Sequence, residues 1–248
     1  MNNNLKYKLP EDSQGVISVL SGGLDSGICT KILVNHYGVD RVKAISFDYG
    51  QKQKKELHKA AEICSVLGIE HRIFDLSVLN GISQGFSANV DTEMAMPTIK
   101  EVLGSPRPKT YIPNRNMILM SIAAAFAETV GFNYVNLGLQ IHDAYGYHDT
   151  TQQFVDAVNS CLSQNRIIKI KVIAPFAALS KTDELKILQE VDNSSVEFTK
   201  HTLTCYNPNV RGESCGRCPS CSERIKAFMD IGVIDPIPYS VRIPWRKP

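Results

Sequence analysis

The 248-residue sequence lacks the features of a secreted or membrane protein. Its first fifteen residues, MNNNLKYKLPEDSQG, are polar and contain no apolar segment of a signal peptide. No run of about 18 apolar residues occurs, so we expect no membrane span. Internal repeats and low-complexity segments are also absent. We therefore expect a cytoplasmic protein with one large domain, alone or joined to a small module.

The sequence also lacks a charge excess. Its formal net charge is +2, and charged residues make up 21% of the chain. No basic stripe with interleaved aromatic residues occurs, which would be the pattern of a nucleic-acid-binding surface. We therefore do not expect nucleic acid as a partner. Hydrophobic residues make up 43% of the chain, which is enough to form a core.

The stretch VISVLSGGLDSGICTKIL, residues 16–33, predicts a strand, a glycine turn and a helix. Gly22 and Gly23 lack a Cβ atom, so the backbone there can approach a phosphate closely. The free N–H groups of a helix N-terminus favour the same ligand. The turn is neither of the common phosphate motifs, and no lysine follows it to reach a terminal phosphate. The pattern indicates an anion site, with a turn capped by Asp25 or Ser26 as the simpler alternative.

Strand and helix patterns alternate along the rest of the chain. This alternation predicts an α/β fold with a doubly wound, mostly parallel sheet, in which ligands bind outside the carboxyl ends of the strands. Residues 77–110 lose periodicity and are expected to form a long loop. The predicted strands are 16–20, 42–47, 71–76, 134–139 and 169–176, and the later predicted helices are 54–68, 113–130, 150–162 and 181–191.

Four of the seven cysteines fall within 17 positions near the C-terminus. Four thiolates at this spacing are typical of a closed, structural zinc site in a reducing compartment, and an iron–sulfur cluster is the less favoured alternative. The expected metal ligands are Cys205, Cys215, Cys218 and Cys221. The other cysteines, Cys29, Cys64 and Cys161, follow helical patterns and are expected in the core.

We divide the chain into four segments. Residues 1–15 are an N-terminal extension, 16–200 the α/β domain, 201–236 the Cys₄ module with a helix after Cys221, and 237–248 a tail.

Several motifs together resemble one family. SGGLDS after a strand resembles the pyrophosphate loop of adenylating ATP pyrophosphatases, whose fold is Rossmann-type and adenine nucleotide alpha hydrolase-like. With SFDYGQ (46–51), YIPNRN (111–116), APFAALSK (174–181) and CGRCPSC (215–221), the chain resembles the 7-cyano-7-deazaguanine synthase (QueC) family from about Val16 to Pro236.

This resemblance implies a reaction and its components. The family uses ATP to adenylate the carboxylate of 7-carboxy-7-deazaguanine, adds ammonia to form the amide, and dehydrates the amide to the nitrile. It implies ATP, Mg²⁺ and structural Zn²⁺ as cofactors, and a homodimer. No side-chain nucleophile is required, so catalysis rests on positioning and electrostatics.

The resemblance also implies site residues. The catalytic residues would be Ser21, Asp25 as the Mg²⁺ ligand, and Arg115 and Lys181 as phosphate partners. Nucleotide binding would involve Val19, Leu20, Ser21, Gly22, Gly23, Leu24, Asp25, Ser26, Phe47, Asp48, Tyr49 and Arg115. The substrate pocket would involve Asn116, Gln140, Asp143, Tyr147, Asp149 and Gln153.

One segment departs from the family pattern and keeps two alternatives open. Where the family carries a segment like YSGYPDCRPEF, this chain has AYGYHDTTQQF (144–154), so Gln153 replaces a glutamate that would pair with the guanine edge. The second hypothesis is therefore a QueC-like ligase that stops at the amide or joins the acyl group to another amine, including one on a protein, as in phage defence. The third is a tRNA-modifying adenylating protein.

Overall fold

A computed structural model describes residues 7–96, 101, 108–141, 147–191 and 195–245. Five strands in these residues form one sheet of order β3-β2-β1-β4-β5, and every pairing is parallel. The central strand is in register with both neighbours, since Val16 lies opposite Val42 on one side and Tyr134 on the other. The strands are β1 (Val16–Val19), β2 (Val42–Asp48), β3 (His71–Asp75), β4 (Tyr134–Leu137) and β5 (Lys171–Ile173).

Seven α-helices accompany these strands in the described ranges. None of them is long and apolar enough to cross a lipid bilayer. Short 3₁₀ helices occur at Val39–Arg41, His148–Thr150 and Ser195–His201. The α-helices are α1 (Leu24–Tyr37), α2 (Lys55–Leu67), α3 (Val78–Ser83), α4 (Arg115–Thr129), α5 (Gln152–Leu162), α6 (Lys181–Val191) and α7 (Pro219–Asp230).

Both faces of the sheet are covered, as its sequence requires. Successive side chains of a strand point to opposite faces. Ile17 therefore packs with α4 and α5, whereas Val16 packs with α1 and α2. A third cluster joins α1 to α6 and α7. This double winding explains why the strands read as continuous apolar runs rather than alternating ones.

A buried chain of polar side chains connects β1, β4 and α1. The Ser18 hydroxyl is 2.8 Å from that of Thr30, and the Asn136 amide donates to Ser18 at 3.2 Å. The Cys29 thiol donates to the other end of Asn136 at 3.2 Å. Burial raises the pKa of this thiol well above its ordinary range, so Cys29 is a structural donor rather than a reactive group.

The predicted elements were largely confirmed, and the main differences concern β5, α3 and the start of α7. Helix α6 has the predicted bounds because Ser180 and Asp183 form a capping box at its start. Strand β5 is shorter than predicted, and α3 lies within the segment predicted to be a loop. Helix α7 begins at Pro219, a favourable first position, so it includes Cys221 instead of following it. Cys161, which we expected in the core, is exposed.

Candidate functional site

The strand order reverses between β1 and β4, and their carboxyl ends border a crevice. Gly138, just after β4, touches the first turn of α1. A Cβ atom on Gly138 would lie 2.6 Å from the Cα atom of Ser26. The end of β4 therefore closes one side of the turn between β1 and α1.

The glycine turn needs glycine for two independent reasons. Gly22 has a φ of +90°, and a Cβ atom there would lie 2.1 Å from the carbonyl oxygen of Glu56. The Ser21 and Ser26 hydroxyls lie 3.0 Å apart and fix the turn. The N-cap position, Gly23, provides no side-chain cap to α1. Ser26 accepts from the Ser21 N–H at 3.3 Å, so one side chain of the capped-turn alternative does bond to the turn, and this bond leaves the first N–H groups of α1 available to an anion.

A cavity of about 310 Å³ begins at this turn. Its walls come from the ends of β1, β2 and β4 and from the start of α4. An apolar side formed by strand residues and a polar side formed by the turn suit a nucleotide, with its base on the first and its phosphates on the second. The predicted residues that line it are Val19, Leu20, Ser21, Ser26, Phe47, Tyr49, Arg115, Asn116 and Tyr147.

Arg115 enters this cavity from the first position of α4. Its guanidinium lies 5.9 Å from the centre of the Tyr49 ring. Asn114, the N-cap, is the non-glycine residue with positive φ among those described, and it lets the chain turn sharply into α4. The Asp149 carboxylate accepts from the Asn116 backbone N–H at 3.2 Å, and the Asn116 amide donates to the Asp149 carbonyl at 3.1 Å. Asp149 is buried in this support and does not line the cavity.

Lys181 and Asp25 form an ion pair. The Lys181 Nζ atom is 3.1 Å from an Asp25 oxygen and 3.3 Å from Glu223. Lys181 comes from the N-terminus of α6, where a cation opposes the helix dipole. The Asp25 carboxylate in the first turn of α1 compensates for this unfavourable position of the Lys181 charge.

The remaining predicted residues lie outside the cavity wall. Gln153 is exposed on α5, and Asp48 accepts from the Gly50 N–H and from Lys54 in the turn after β2. The Leu24 side chain is buried in the core, so only its backbone faces the turn. Asp143 lies outside the described residues. The full set absent from the wall is Gly22, Gly23, Leu24, Asp25, Asp48, Gln140, Asp149, Gln153 and Lys181.

The sequence analysis missed several cavity residues, and two of them, Glu56 and Tyr206, have shifted pKa values. Glu56 lies in the first turn of α2 and lines the cavity, and burial raises its pKa to about 8 against the opposing effect of Arg115. Tyr206 follows the first cluster cysteine and lines the same cavity, and burial raises its pKa to about 12. Glu56 could have been found from its position: it is an acidic residue at the start of the helix that follows β2, a strand whose end borders the site.

The four predicted cysteines come together. Their Sγ atoms all lie within 4.8 Å of one another, and those of Cys215 and Cys221 are 3.9 Å apart. A tetrahedron of Zn–S bonds of about 2.3 Å needs sulfur separations of roughly 3.8 Å. Backbone N–H groups of Asn207 and Cys215 donate to the Cys205 sulfur at 3.3 and 3.2 Å. Hydrogen bonds from Cys205 and Cys221 lower the pKa of the Cys218 thiol. The donor set fits a zinc ion with no open position.

The cysteine cluster is joined to the glycine turn through the backbone. The Leu203 N–H donates to the Gly22 carbonyl at 2.8 Å, two residues before Cys205. The fully buried Arg224 of α7 holds this segment, since it donates to the Thr202 hydroxyl at 2.6 Å and makes two bonds of 2.7 and 2.9 Å to Asp235. The segment that leads into the cluster is therefore bonded both to the glycine turn and to α7.

These features define the class of the protein. A parallel sheet of this order, with a glycine turn and an uncapped helix at its switch point, defines a doubly wound α/β protein with an anion-binding loop. Within that class, the chain belongs to the QueC family, since the family model for the queuosine biosynthesis protein QueC matches residues 15–232.

Curated relatives extend this match over nearly their whole length. A 7-cyano-7-deazaguanine synthase of Methanocaldococcus jannaschii is 36% identical over 234 residues, which is 90% of this chain and 98% of that protein. One of Caldicellulosiruptor bescii is 36% identical over 231 residues, 92% and 99% of the two chains. One of Alteromonas mediterranea is 34% identical over 230 residues, with the same coverage.

Proposed function

We propose that this protein is an ATP-dependent ligase that converts 7-carboxy-7-deazaguanine and ammonia to the amide and then to 7-cyano-7-deazaguanine. The observation that carries the proposal is one cavity, in a chain of the QueC family, that joins the glycine turn to Arg115 and an apolar strand edge. ATP would lie with its base against Phe47 and Tyr49 and its phosphates at the turn.

The residues suit a two-stage reaction without a covalent enzyme intermediate. The substrate carboxylate attacks the α-phosphorus, the bond to the β-phosphate oxygen breaks, and pyrophosphate leaves. The backbone N–H groups after Gly22, together with Lys181, would stabilise the negative charge of the departing pyrophosphate. Arg115 would hold the α-phosphate or the substrate carboxylate through its paired donors. Ammonia then displaces AMP to give the amide, and a second activation by ATP removes the amide oxygen.

Two metal ions complete the proposal. Mg²⁺ takes one or two carboxylates together with phosphate oxygens, and Asp25 in the first turn of α1 would supply that carboxylate. Zn²⁺ would occupy the four-cysteine cluster and contribute folding free energy. The free thiolates that zinc requires suit a reducing compartment such as the cytoplasm.

Mass spectrometry of the reaction products tests the function. The purified protein is incubated with 7-carboxy-7-deazaguanine, ATP, Mg²⁺ and ammonium, and a parallel sample omits ammonium. We expect AMP, pyrophosphate and the free nitrile in the complete mixture, and no nitrile without ammonium. If no AMP forms with this substrate, the proposed substrate is wrong.

A second function is favoured by one specific feature. A cavity of about 600 Å³ adjoins the first and shares Lys52, Gln53, Met96 and Tyr206 with it. It would give a larger amine access to the acyl-adenylate. Thr150 also lines the main cavity at a position in the segment that departs from the family pattern. The amide as sole product, or substrate mass added to a protein, would support this second function.

We also propose a homodimer. Apolar side chains near β3 and α3 are unusually exposed, with 51%, 65% and 64% of their surface accessible at Ile73, Val78 and Ile82. A second copy of the chain is the simplest partner for such a patch. Light scattering of the purified protein measures the mass directly, and Ile73→Glu should reduce it to that of one chain.

A further inference from the structure

We propose that Glu56 is the general base that accepts the proton of the attacking nitrogen during acyl transfer. This inference rests on the proposed function, because it needs an acyl-adenylate and an amine in the same cavity. The reaction supplies a proton that must leave: the C–N bond forms, nitrogen loses a proton to the Glu56 carboxylate, and the C–O bond breaks with its electron pair going to AMP. Glu56 then releases the proton to solvent.

The first observation is the position of Glu56. It lines the same cavity as Ser21, Ser26 and Arg115, so its carboxyl group shares one enclosure with both the proposed phosphate and carboxylate partners. Its backbone carbonyl lies against Gly22, which fixes the first turn of α2 to the glycine turn. A base must be held within reach of the reacting atoms, and this contact holds it there.

The second observation is that the Glu56 carboxylate has no fixed structural partner in the described part of the chain. No hydrogen bond or ion pair to it occurs there, although other acids near the site are engaged: Asp25 pairs with Lys181, Asp48 with Lys54, and Asp149 with Asn116. A carboxylate with a fixed structural partner is a poor base, because proton uptake would break that pairing. Glu56 is the cavity acid whose charge state is free to change.

The third observation is electrostatic. Burial raises the pKa of Glu56 to about 8, with Arg115 as the opposing influence. A base works best when its pKa is near the operating pH. The other charged or titratable side chains that share the cavity are Arg115, Tyr49, Lys52, Tyr147 and Tyr206. Burial raises the pKa values of both Tyr49 and Tyr206, the latter to about 12, so these two do not titrate near neutral pH.

The test separates the two half-reactions. ATP–pyrophosphate exchange with 7-carboxy-7-deazaguanine measures adenylation, and hydroxamate formation with hydroxylamine measures acyl transfer to nitrogen. Hydroxylamine is already uncharged at neutral pH. Any increase of the acyl-transfer rate with pH above neutrality therefore does not come from deprotonation of the nucleophile. In the unmodified protein we expect the rate of acyl transfer to increase with pH and to level off above a pH of about 8, the pKa of Glu56.

Glu56→Gln should keep pyrophosphate exchange within about twofold while acyl transfer decreases by about 10²–10⁴-fold, the usual contribution of a general base. In Glu56→Gln the acyl-transfer rate should no longer increase with pH. Glu56→Asp should restore both this pH dependence and part of the rate. The matched control is Glu62→Gln on the same helix, where the carboxylate pairs with Lys59 and His201 instead. We expect its two activities to equal those of the unmodified protein.

Each other outcome overturns one part of the reasoning. If Glu56→Gln keeps both activities and the pH dependence, Glu56 is not the base. If it loses pyrophosphate exchange equally, Glu56 acts in binding and the acyl-transfer role is wrong. If the unmodified protein shows no pyrophosphate exchange with this substrate, the proposed function itself fails, whatever the variants do.

Discussion

Replacing Arg224 should destabilise the protein far more than replacing any exposed cation of the same helix. Its guanidinium is 1% exposed, and the Asp235 carboxylate that it pairs with is fully buried. Tyr239 also donates to Asp235 at 2.7 Å, which joins the C-terminal segment to the pair. Arg224→Ala leaves the Asp235 charge without its cation in a dry environment. Breaking a buried pair in this way costs about 3–5 kcal/mol.

The assay is thermal and urea-induced unfolding of the zinc-loaded protein. For a chain of this size, each kcal/mol corresponds to about 2–4 °C in Tm, so Tm should decrease by about 6–20 °C. ATP affinity should weaken as well, because Arg224 holds Thr202 beside the Leu203 N–H that bonds to the glycine turn. The double variant Arg224→Met, Asp235→Asn should recover part of the loss, since no unpaired charge then remains buried.

The control is Lys226→Ala on the same helix. Lys226 is largely exposed and pairs with Asp230, so its removal should cost at most about 0.5 kcal/mol. If Arg224→Ala and Lys226→Ala have the same free energy of unfolding, the buried pair does not stabilise the module and the reasoning is refuted.

Four further predictions concern the site itself. Gly22→Ala should weaken ATP binding at least tenfold by calorimetry, because the left-handed backbone alone costs about 1–2 kcal/mol and the new methyl group would overlap the Glu56 carbonyl. Asp25→Ala should abolish pyrophosphate release and leave metal content unchanged, with a lower Tm because Lys181, whose side chain is 8% exposed, loses an ion-pair partner. Retained turnover would disprove the proposed Mg²⁺ ligand. Cys218→Ser should lower bound zinc, measured by elemental analysis, together with Tm, and a variant of normal stability but no activity would indicate a catalytic metal. The pKa of Glu56 is raised from 4.5 to about 8, so the folded state binds a proton more tightly than the unfolded state. The free energy of unfolding should therefore decrease as pH increases from about 4.5 to 8. Urea titrations should show a smaller decrease for Glu56→Gln.

The fold could be predicted from the sequence because its signals are local. The bounds of α6 follow from a capping box and an apolar period, and the strands follow from apolar runs that both faces of the sheet require. The short helix α3 could not be predicted because one and a half turns give no periodic signal. Cys161 matches a helical pattern but lies on the exposed side of α5, since the pattern alone did not fix the phase of that helix.

The site was predicted less completely, for a related reason. The glycine turn, Arg115 and the four cysteines carry motifs, and the structure brings the turn and Arg115 to one cavity and the four cysteines to one cluster. Glu56 carries no motif, and its importance arises only when α2 packs against Gly22. The family resemblance assigned Gln153 to the pocket. The direction of its side chain depends on the start of α5 at Gln152, and the side chain is exposed.

The contact between Gly22 and Glu56 has a consequence for how this sequence can diverge. It is made by a carbonyl oxygen, so it exists whatever side chain occupies position 56. It does depend on spacing within α2, because a residue inserted or deleted between Lys55 and the buried Ala60 would rotate the first turn by about 100° relative to the buried face of the helix and move that oxygen away. The nucleotide site therefore constrains insertions and deletions here. It does not constrain which side chain stands at position 56, so that side chain can be selected for its role in the reaction.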